Sequence, residues 1–155
     1  MGGMSLAGGC HRFAMRAYYE DTDAGGIVYH ASYLRFAERA RTEALRDLGV
    51  PHAEMVDQFN RMLVVRRIKL DYQRPARLDE ALVVTTMPLA VGGASVDLRQ
   101  VVSRAGVSLV ELDVQLVCTR LADGKPARMP ERWRAALGLM ASAAACSGHG
   151  QGVGW

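Results

Sequence analysis

The chain has 155 residues, half of them hydrophobic and 23% charged, which is typical of one soluble globular domain. Its formal net charge is +3 and no run of five or more like charges occurs, which argues against a nucleic-acid-binding surface. The three cysteines are odd in number and none stands in a CxxC pair. We therefore expect a reducing, cytoplasmic location, and neither a disulfide framework nor a zinc site.

The two ends of the chain are rich in small residues. We expect a flexible leader at residues 1–9 and a flexible Ala/Gly-rich tail at residues 136–155, on either side of one folded domain at residues 10–135. No apolar run reaches the roughly 18 residues that a membrane span requires.

The first predicted elements are a strand and a long helix. Residues 11–19 alternate apolar and polar side chains, which predicts a strand, and a turn-rich stretch follows at residues 20–26. Apolar and small residues then recur at helical spacing from about residue 31 to residue 48. Gly49, followed by Pro51, is well placed to end this helix.

The rest of the chain is predicted to be mainly strands. Residues 52–60 are interpreted as a short helix or loop, and strands are expected at residues 62–72, 81–89, 94–104 and 107–121. One strand before the helix and four after it indicate an α+β fold. We expect a five- to six-stranded antiparallel sheet wrapped around the helix, whose small residues permit close packing.

Most of the side chains suited to catalysis lie between the first strand and the helix. The first turn of a helix has backbone N–H groups without intrahelical acceptors and a partial positive charge. Those donors stabilise an oxyanion, and the same field keeps a nearby carboxylate ionised. Asp21, Thr22 and Asp23 are also good turn and N-cap residues, so a purely structural role is the alternative.

Taken as one unit, this segment has the pattern Y-x-E-D-T-D-A-G-G-I-V-Y-H-x-x-Y, followed shortly by R-F-x-E-R-A-R-T-E. The pattern resembles the hotdog-fold acyl-CoA thioesterases, in particular the branch associated with bacterial Tol–Pal envelope genes and related to 4-hydroxybenzoyl-CoA thioesterases. The resemblance extends from about residue 13 to residue 130 and includes residues 67–72 and 75–79.

The resemblance implies a long helix wrapped by an antiparallel sheet and the hydrolysis of acyl-CoA to free acid and CoA, without a cofactor or a metal. It also implies a homo-oligomer. Subunits of this family pair sheet edge to sheet edge, the active sites form at that seam, and dimers often pair again into a homotetramer.

The resemblance also assigns roles to individual residues. Asp23 corresponds to the catalytic carboxylate, either as nucleophile or as general base. Tyr19 and His30 lie in the same site, although both side chains have a structural interpretation as well. The backbone N–H of His30, together with that of Tyr29, is expected to polarise the thioester carbonyl. Asp21 is interpreted as a cap.

The basic residues are concentrated in one stretch. Residues 61–77 hold six basic residues and one acid, a net charge of +5, so the rest of the chain sums to −2. CoA carries a 3′-phosphate and a pyrophosphate, and Arg66, Arg67 and Lys69 alternate faces along a predicted strand. We expect these three residues to bind the phosphates, with a solvated strand face as the alternative.

Two other interpretations are weighed. A dehydratase or hydratase on this fold would need its own acid/base pair and motif, which we do not find in the sequence. A non-catalytic acyl-binding or envelope-linked interaction protein has no evident need for Asp23, Tyr19 and His30 together. The acyl chain, acyl carrier protein as a second donor and a peripheral position at the inner membrane stay open.

Overall fold

Residues 5–147 are described in a computed structural model, with side chains from residue 8 to residue 143. Six strands occur in this range: β1 (Ser5–Ala7), β2 (Cys10–Arg16), β3 (Arg61–Tyr72), β4 (Ala81–Val91), β5 (Ser95–Arg104) and β6 (Val107–Arg120). They form one antiparallel sheet in the order β1-β2-β4-β5-β6-β3, so β1 and β3 are its edges. The four strands predicted after the helix are confirmed to within two residues.

Three α-helices accompany the sheet in the same range: α1 (Ser32–Asp47), α2 (His52–Phe59) and α3 (Glu131–Ser147). α1 lies against the sheet through a buried stripe in which Ala37 and Ala40 are fully buried beside Phe36. Their small side chains let the helix approach the strands closely, and the α+β architecture is confirmed. Strand residues complete the core, among them Leu82, Val84, Val102, Leu109 and Leu112. No helix within residues 5–147 has both the length and the apolar character to cross a membrane.

α1 ends at a glycine in the left-handed backbone region. Gly49 has a φ of 79°, and its N–H donates to the carbonyl of Arg46 at 3.0 Å. The next N–H, that of Val50, returns to the carbonyl of Leu45 at 3.0 Å, so carbonyls of the last turn are satisfied. The predicted helix and its termination are confirmed, with α1 one residue shorter at each end.

Helix α3 corrects the expected tail at residues 136–155. Trp133, Leu137 and Met140 recur at helical spacing and are buried, and α3 packs against β4. The alanines that suggested a flexible tail favour helix formation, and the burial of these three side chains stabilises the helix against the sheet. Residues 148–155 lie outside the described residues. So do residues 1–4 of the expected leader, whereas Ser5–Ala7 pair with β2.

The first strand is shorter than predicted, because β2 ends at Arg16 and Tyr19–Asp21 forms a 3-10 turn. The carboxylate of Asp21, which is 3% exposed, accepts the N–H of Tyr18 at 2.9 Å and so caps that turn. The interpretation of Asp21 as a cap is confirmed.

Two glycines give opposite stability predictions. Gly49→Ala should destabilise the protein by about 1 kcal/mol, because a Cβ at this positive φ is strained although no atom lies within 4 Å of it. Gly138→Ala should stabilise it by roughly 0.5–1 kcal/mol, because Gly138 lies inside α3 with open space for a Cβ. Urea unfolding measures the change in the free energy of unfolding for each variant. If both variants were stabilised, or both destabilised, the assigned backbone conformations would be contradicted.

Candidate active site

A tight backbone hairpin at residues 21–29 places Asp23 near the start of α1. The N–H of Asp23 donates to the carbonyl of Ile27 at 2.9 Å, and Thr22 forms an antiparallel bridge with Val28. Gly26, with a φ of 78°, makes the reversal possible. The chain therefore returns to the level of Asp21 just before the helix begins.

The Asp23 carboxylate is exposed and lies on the wall of a groove of about 320 Å3. Its Oδ1 accepts the N–H of Gly25 at 2.8 Å, while Oδ2 has no hydrogen-bond partner among the described residues. The residue at the N-cap of α1 is Ala31, so Asp23 is not used to finish the helix. One carboxylate oxygen is thus available to a bound molecule.

Free backbone donors lie at the start of α1. The N–H of Tyr29 donates to the carbonyl of Asp21 at 2.8 Å, and the N–H of Ser32 donates to the carbonyl of Tyr29 at 2.8 Å. Between them, the N–H groups of His30 and Ala31 have no acceptor within residues 5–147. The expected donor at His30 is available. The N–H of Tyr29 is engaged by the carbonyl of Asp21, which corrects the expectation, and the N–H of Ala31 is the second one without an acceptor in this range.

Aromatic side chains form one side of the groove. The ring of His30 is exposed. Its centroid lies 4.4 Å from the ring centroid of Tyr29 and 6.5 Å from that of Tyr72. The Tyr72 hydroxyl donates to the His30 carbonyl at 2.8 Å. Tyr33 is buried and its ring contacts that of Tyr72. Burial raises the pKa of the Tyr33 phenol, whose oxygen accepts the N–H of Ala76 at 3.0 Å.

Residues 73–75 also line the groove, and the loop that continues to residue 80 is bonded to the hairpin. The N–H of Val28 donates to the carbonyl of Ala76 at 2.8 Å, and the N–H of Leu78 donates to that of Gly26 at 3.2 Å. The whole lining consists of Asp23, Ile27, Val28, His30, Tyr33, Tyr72, Gln73, Arg74 and Pro75. The contribution of Tyr33 and Tyr72 was not predicted, although Tyr33 ends the Y-H-x-x-Y pattern and Tyr72 ends the similar stretch at residues 67–72.

Tyr19 is not brought together with Asp23 and His30 within one chain. It lies in the 3-10 turn, its side chain is 82% exposed, and it is not among the residues that line the groove.

The basic residues of β3 lie on a different face. Ile68 and Leu70 pack against the core, so Arg67 and Lys69 project from the outer face of the sheet, where they line a separate groove of about 400 Å3. Arg66 is the extra residue of a β-bulge between Val65 and Arg67. All three basic side chains are exposed, and the structure does not bring them to Asp23 within one chain.

Comparison with known proteins identifies the family. The thioesterase superfamily model matches residues 25–111. The chain belongs to the thioesterase superfamily. Acyl-CoA thioesterase YbgC of Haemophilus influenzae is 41% identical over 125 residues, 81% of this chain and 92% of that protein. Acyl-CoA thioester hydrolase YbgC of Escherichia coli is 40% identical over 121 residues, 77% of this chain and 90% of that protein.

Solved thioesterase structures share the fold. A probable thioesterase from Bartonella henselae, 35% identical, has a TM-score of 0.75 and covers 78% of this chain and 99% of its own. A DHNA-CoA thioesterase from Staphylococcus aureus superposes with a TM-score of 0.82 over 89% of this chain and 95% of its own; at 20% identity it shows the fold alone. The predicted hotdog fold and the class of thioester hydrolase are confirmed.

Substitution of Ala31 by proline removes its backbone N–H, which has no acceptor within the described residues. The φ of Ala31 is −76°, which proline accepts, and its N–H forms no bond that would be lost within the described residues. If this N–H stabilises the oxyanion, thioesterase kcat of Ala31→Pro should fall about 100-fold or more.

Ala53→Pro, in the first turn of α2, is the matched control and should keep full activity. Thermal unfolding verifies that both variants fold. A folded Ala31→Pro thioesterase with unchanged kcat would remove this donor from the site.

Proposed function

We propose that this thioesterase hydrolyses acyl-CoA to the free acid and CoA, with Asp23 as the reacting carboxylate. The observation that carries the proposal is that Asp23, whose Oδ2 accepts no hydrogen bond within residues 5–147, lines the same groove as His30, whose N–H and that of the following Ala31 have no acceptor in that range. Such a pairing of carboxylate and amide donors suits attack on a thioester carbon while negative charge develops on its oxygen.

Two routes are consistent with this geometry. As a nucleophile, Asp23 adds to the thioester carbon, CoA thiolate leaves, and water hydrolyses the resulting mixed anhydride. As a general base, Asp23 takes a proton from the water molecule that attacks the same carbon. In both routes the donors at His30 and Ala31 bind the oxyanion. The side chain of His30, exposed at the groove, is proposed to orient the water or Asp23.

The relatives support the substrate class. Proteins of Haemophilus influenzae and Escherichia coli that are 41% and 40% identical carry the names acyl-CoA thioesterase and acyl-CoA thioester hydrolase. We extend acyl-CoA to this chain as its substrate, and acyl carrier protein remains a further candidate donor. A cytoplasmic location belongs to the same proposal.

The edge strand β3 supports assembly into a homodimer, or a dimer of dimers. β3 is twelve residues long, is paired on one side by β6, and exposes Val65 and Tyr72 by 46% and 50%. Long strands with one unpaired edge are normally covered, and a second copy of β3 would cover this one. The exposed rings of Tyr19 and Tyr29 are then proposed to contact substrate near the seam between subunits.

Arg66, Arg67 and Lys69 are proposed to bind the CoA phosphates. Their exposure and their excess positive charge support this role. Because Arg67 and Lys69 project from the outer face of the sheet, the nucleotide has to cross the sheet edge to reach them from the groove.

Asp23→Asn should lower kcat for acyl-CoA by at least 100-fold while acyl-CoA still binds and the oligomer size is unchanged, because the amide neither attacks nor accepts a proton at neutral pH. Release of free thiol from short-chain, long-chain and aryl CoA substrates measures turnover.

Asp57→Asn, the same change on the exposed face of α2, is the control and should retain full turnover. Substantial kcat in Asp23→Asn would exclude Asp23 from the chemistry. Tight binding of acyl-CoA by the wild type without thiol release would favour the non-catalytic alternative.

Arg67→Glu should raise KM for acyl-CoA about tenfold or more, the size expected for loss of a charge-assisted hydrogen bond to phosphate. KM for an acyl-pantetheine, which lacks the nucleotide phosphates, should not change. Arg39→Glu, at an exposed arginine of α1, serves as the control for net charge. Equal increases in KM for both substrates would argue against a phosphate contact at Arg67.

A further inference from the structure

Tyr72, the last residue of β3, bonds to the backbone at the start of α1. Its hydroxyl donates to the carbonyl of His30 at 2.8 Å, although the two residues are 42 positions apart. Its ring is held by an edge contact with Tyr33, 5.8 Å between centroids, and a second with His30. The hydroxyl is therefore fixed in position by aromatic packing on two sides.

The bonded carbonyl belongs to the same peptide group as a free donor. The carbonyl oxygen of His30 and the N–H of Ala31 are the two ends of one amide, and the Ala31 N–H has no acceptor within the described chain. A hydrogen bond received by the oxygen draws electron density from the nitrogen and strengthens the N–H as a donor, because hydrogen bonds in a chain polarise one another.

The other side of this turn is fixed by Asp21. Its carbonyl accepts the N–H of Tyr29 at 2.8 Å and the hydroxyl of Ser32 at 3.2 Å, and Ser32 is buried. The Ser32 hydroxyl also accepts a hydrogen bond from Arg35 at 3.0 Å. Residues 29 and 32 are held by the hairpin, and Tyr72 makes the one hydrogen bond that the peptide group between His30 and Ala31 receives within the described residues.

We propose that Tyr72 is a positioning residue for thioester hydrolysis, which holds and polarises the His30–Ala31 peptide group so that the Ala31 N–H donates to the thioester oxygen. This inference rests on the proposed function. Tyr72 acts through the backbone amide, so its hydroxyl matters more for stabilising the oxyanion than for binding CoA.

Tyr72→Phe tests this directly, because it keeps the ring packing and removes only the hydroxyl. We expect kcat for acyl-CoA to fall roughly three- to tenfold, the size expected for one neutral hydrogen bond, with KM unchanged. Tyr18→Phe, at a 60% exposed tyrosine outside the groove, is the matched control and should leave kcat and KM unchanged.

A spectroscopic measurement separates positioning from a merely structural role. Acyl-CoA labelled with 13C at the thioester carbonyl is bound to Asp23→Asn, with and without Tyr72→Phe, and the carbonyl stretch is recorded by isotope-edited infrared spectroscopy. The carbonyl should be polarised in Asp23→Asn and should shift back toward the frequency of unbound thioester in the double variant. Incorporation of 3-fluorotyrosine at position 72, a stronger donor, should shift it the other way.

The outcomes distinguish this inference from the proposed function. If the wild type releases no thiol from acyl-CoA, the proposed function fails. If the wild type is active but Tyr72→Phe has the same kcat, or the carbonyl frequency does not respond to position 72, the role of Tyr72 is overturned while the proposed function stands. Thermal unfolding of each variant verifies that the comparison is between folded proteins.

Discussion

The backbone pairing across residues 21–29 is the constraint on which the site depends. It places the Asp23 carboxylate beside the first turn of α1, and it consumes the N–H of Tyr29 through the carbonyl of Asp21. The next two amides, those of His30 and Ala31, have no acceptor in the part of the chain that the structure describes. A carboxylate with one free oxygen and a pair of unpaired donors thus arise from a single local fold, which Gly26 permits by its left-handed backbone.

The surrounding structure holds this arrangement from three directions. Tyr72, at the end of the edge strand, reaches the His30 carbonyl, and the loop at residues 73–80 is hydrogen-bonded to the hairpin. Behind the loop, Glu80 accepts the N–H of Arg77 and pairs with Arg104 at 2.7 Å. Preorganised donors of this kind favour the transition state because little reorientation is needed as charge develops.

The elements with strong periodicity were predictable from the sequence, and so was the segment that carries Asp23. The partners of that segment were not. Tyr72 meets His30 through a tertiary contact, and whether Tyr29 or Ala31 offers the free N–H depends on one hydrogen bond within a turn. Strand alternation separates Arg67 from Ile68, but nothing in it signals the β-bulge that makes Arg66 the extra residue of β3. In α3, the small residues that suggested a tail are helix formers anchored by Trp133.

The bonds between the hairpin and residues 73–80 also bear on how molecules enter and leave. The hairpin and the loop at residues 73–80, which both contribute to the lining of the groove, belong to one hydrogen-bonded unit, in which Val28 bonds to Ala76 and Leu78 to Gly26. Spreading them apart would break several backbone pairings at once, so a hinged lid at this position is unfavourable. A thioester substrate then enters and leaves this groove without a lid that opens and closes at every turnover.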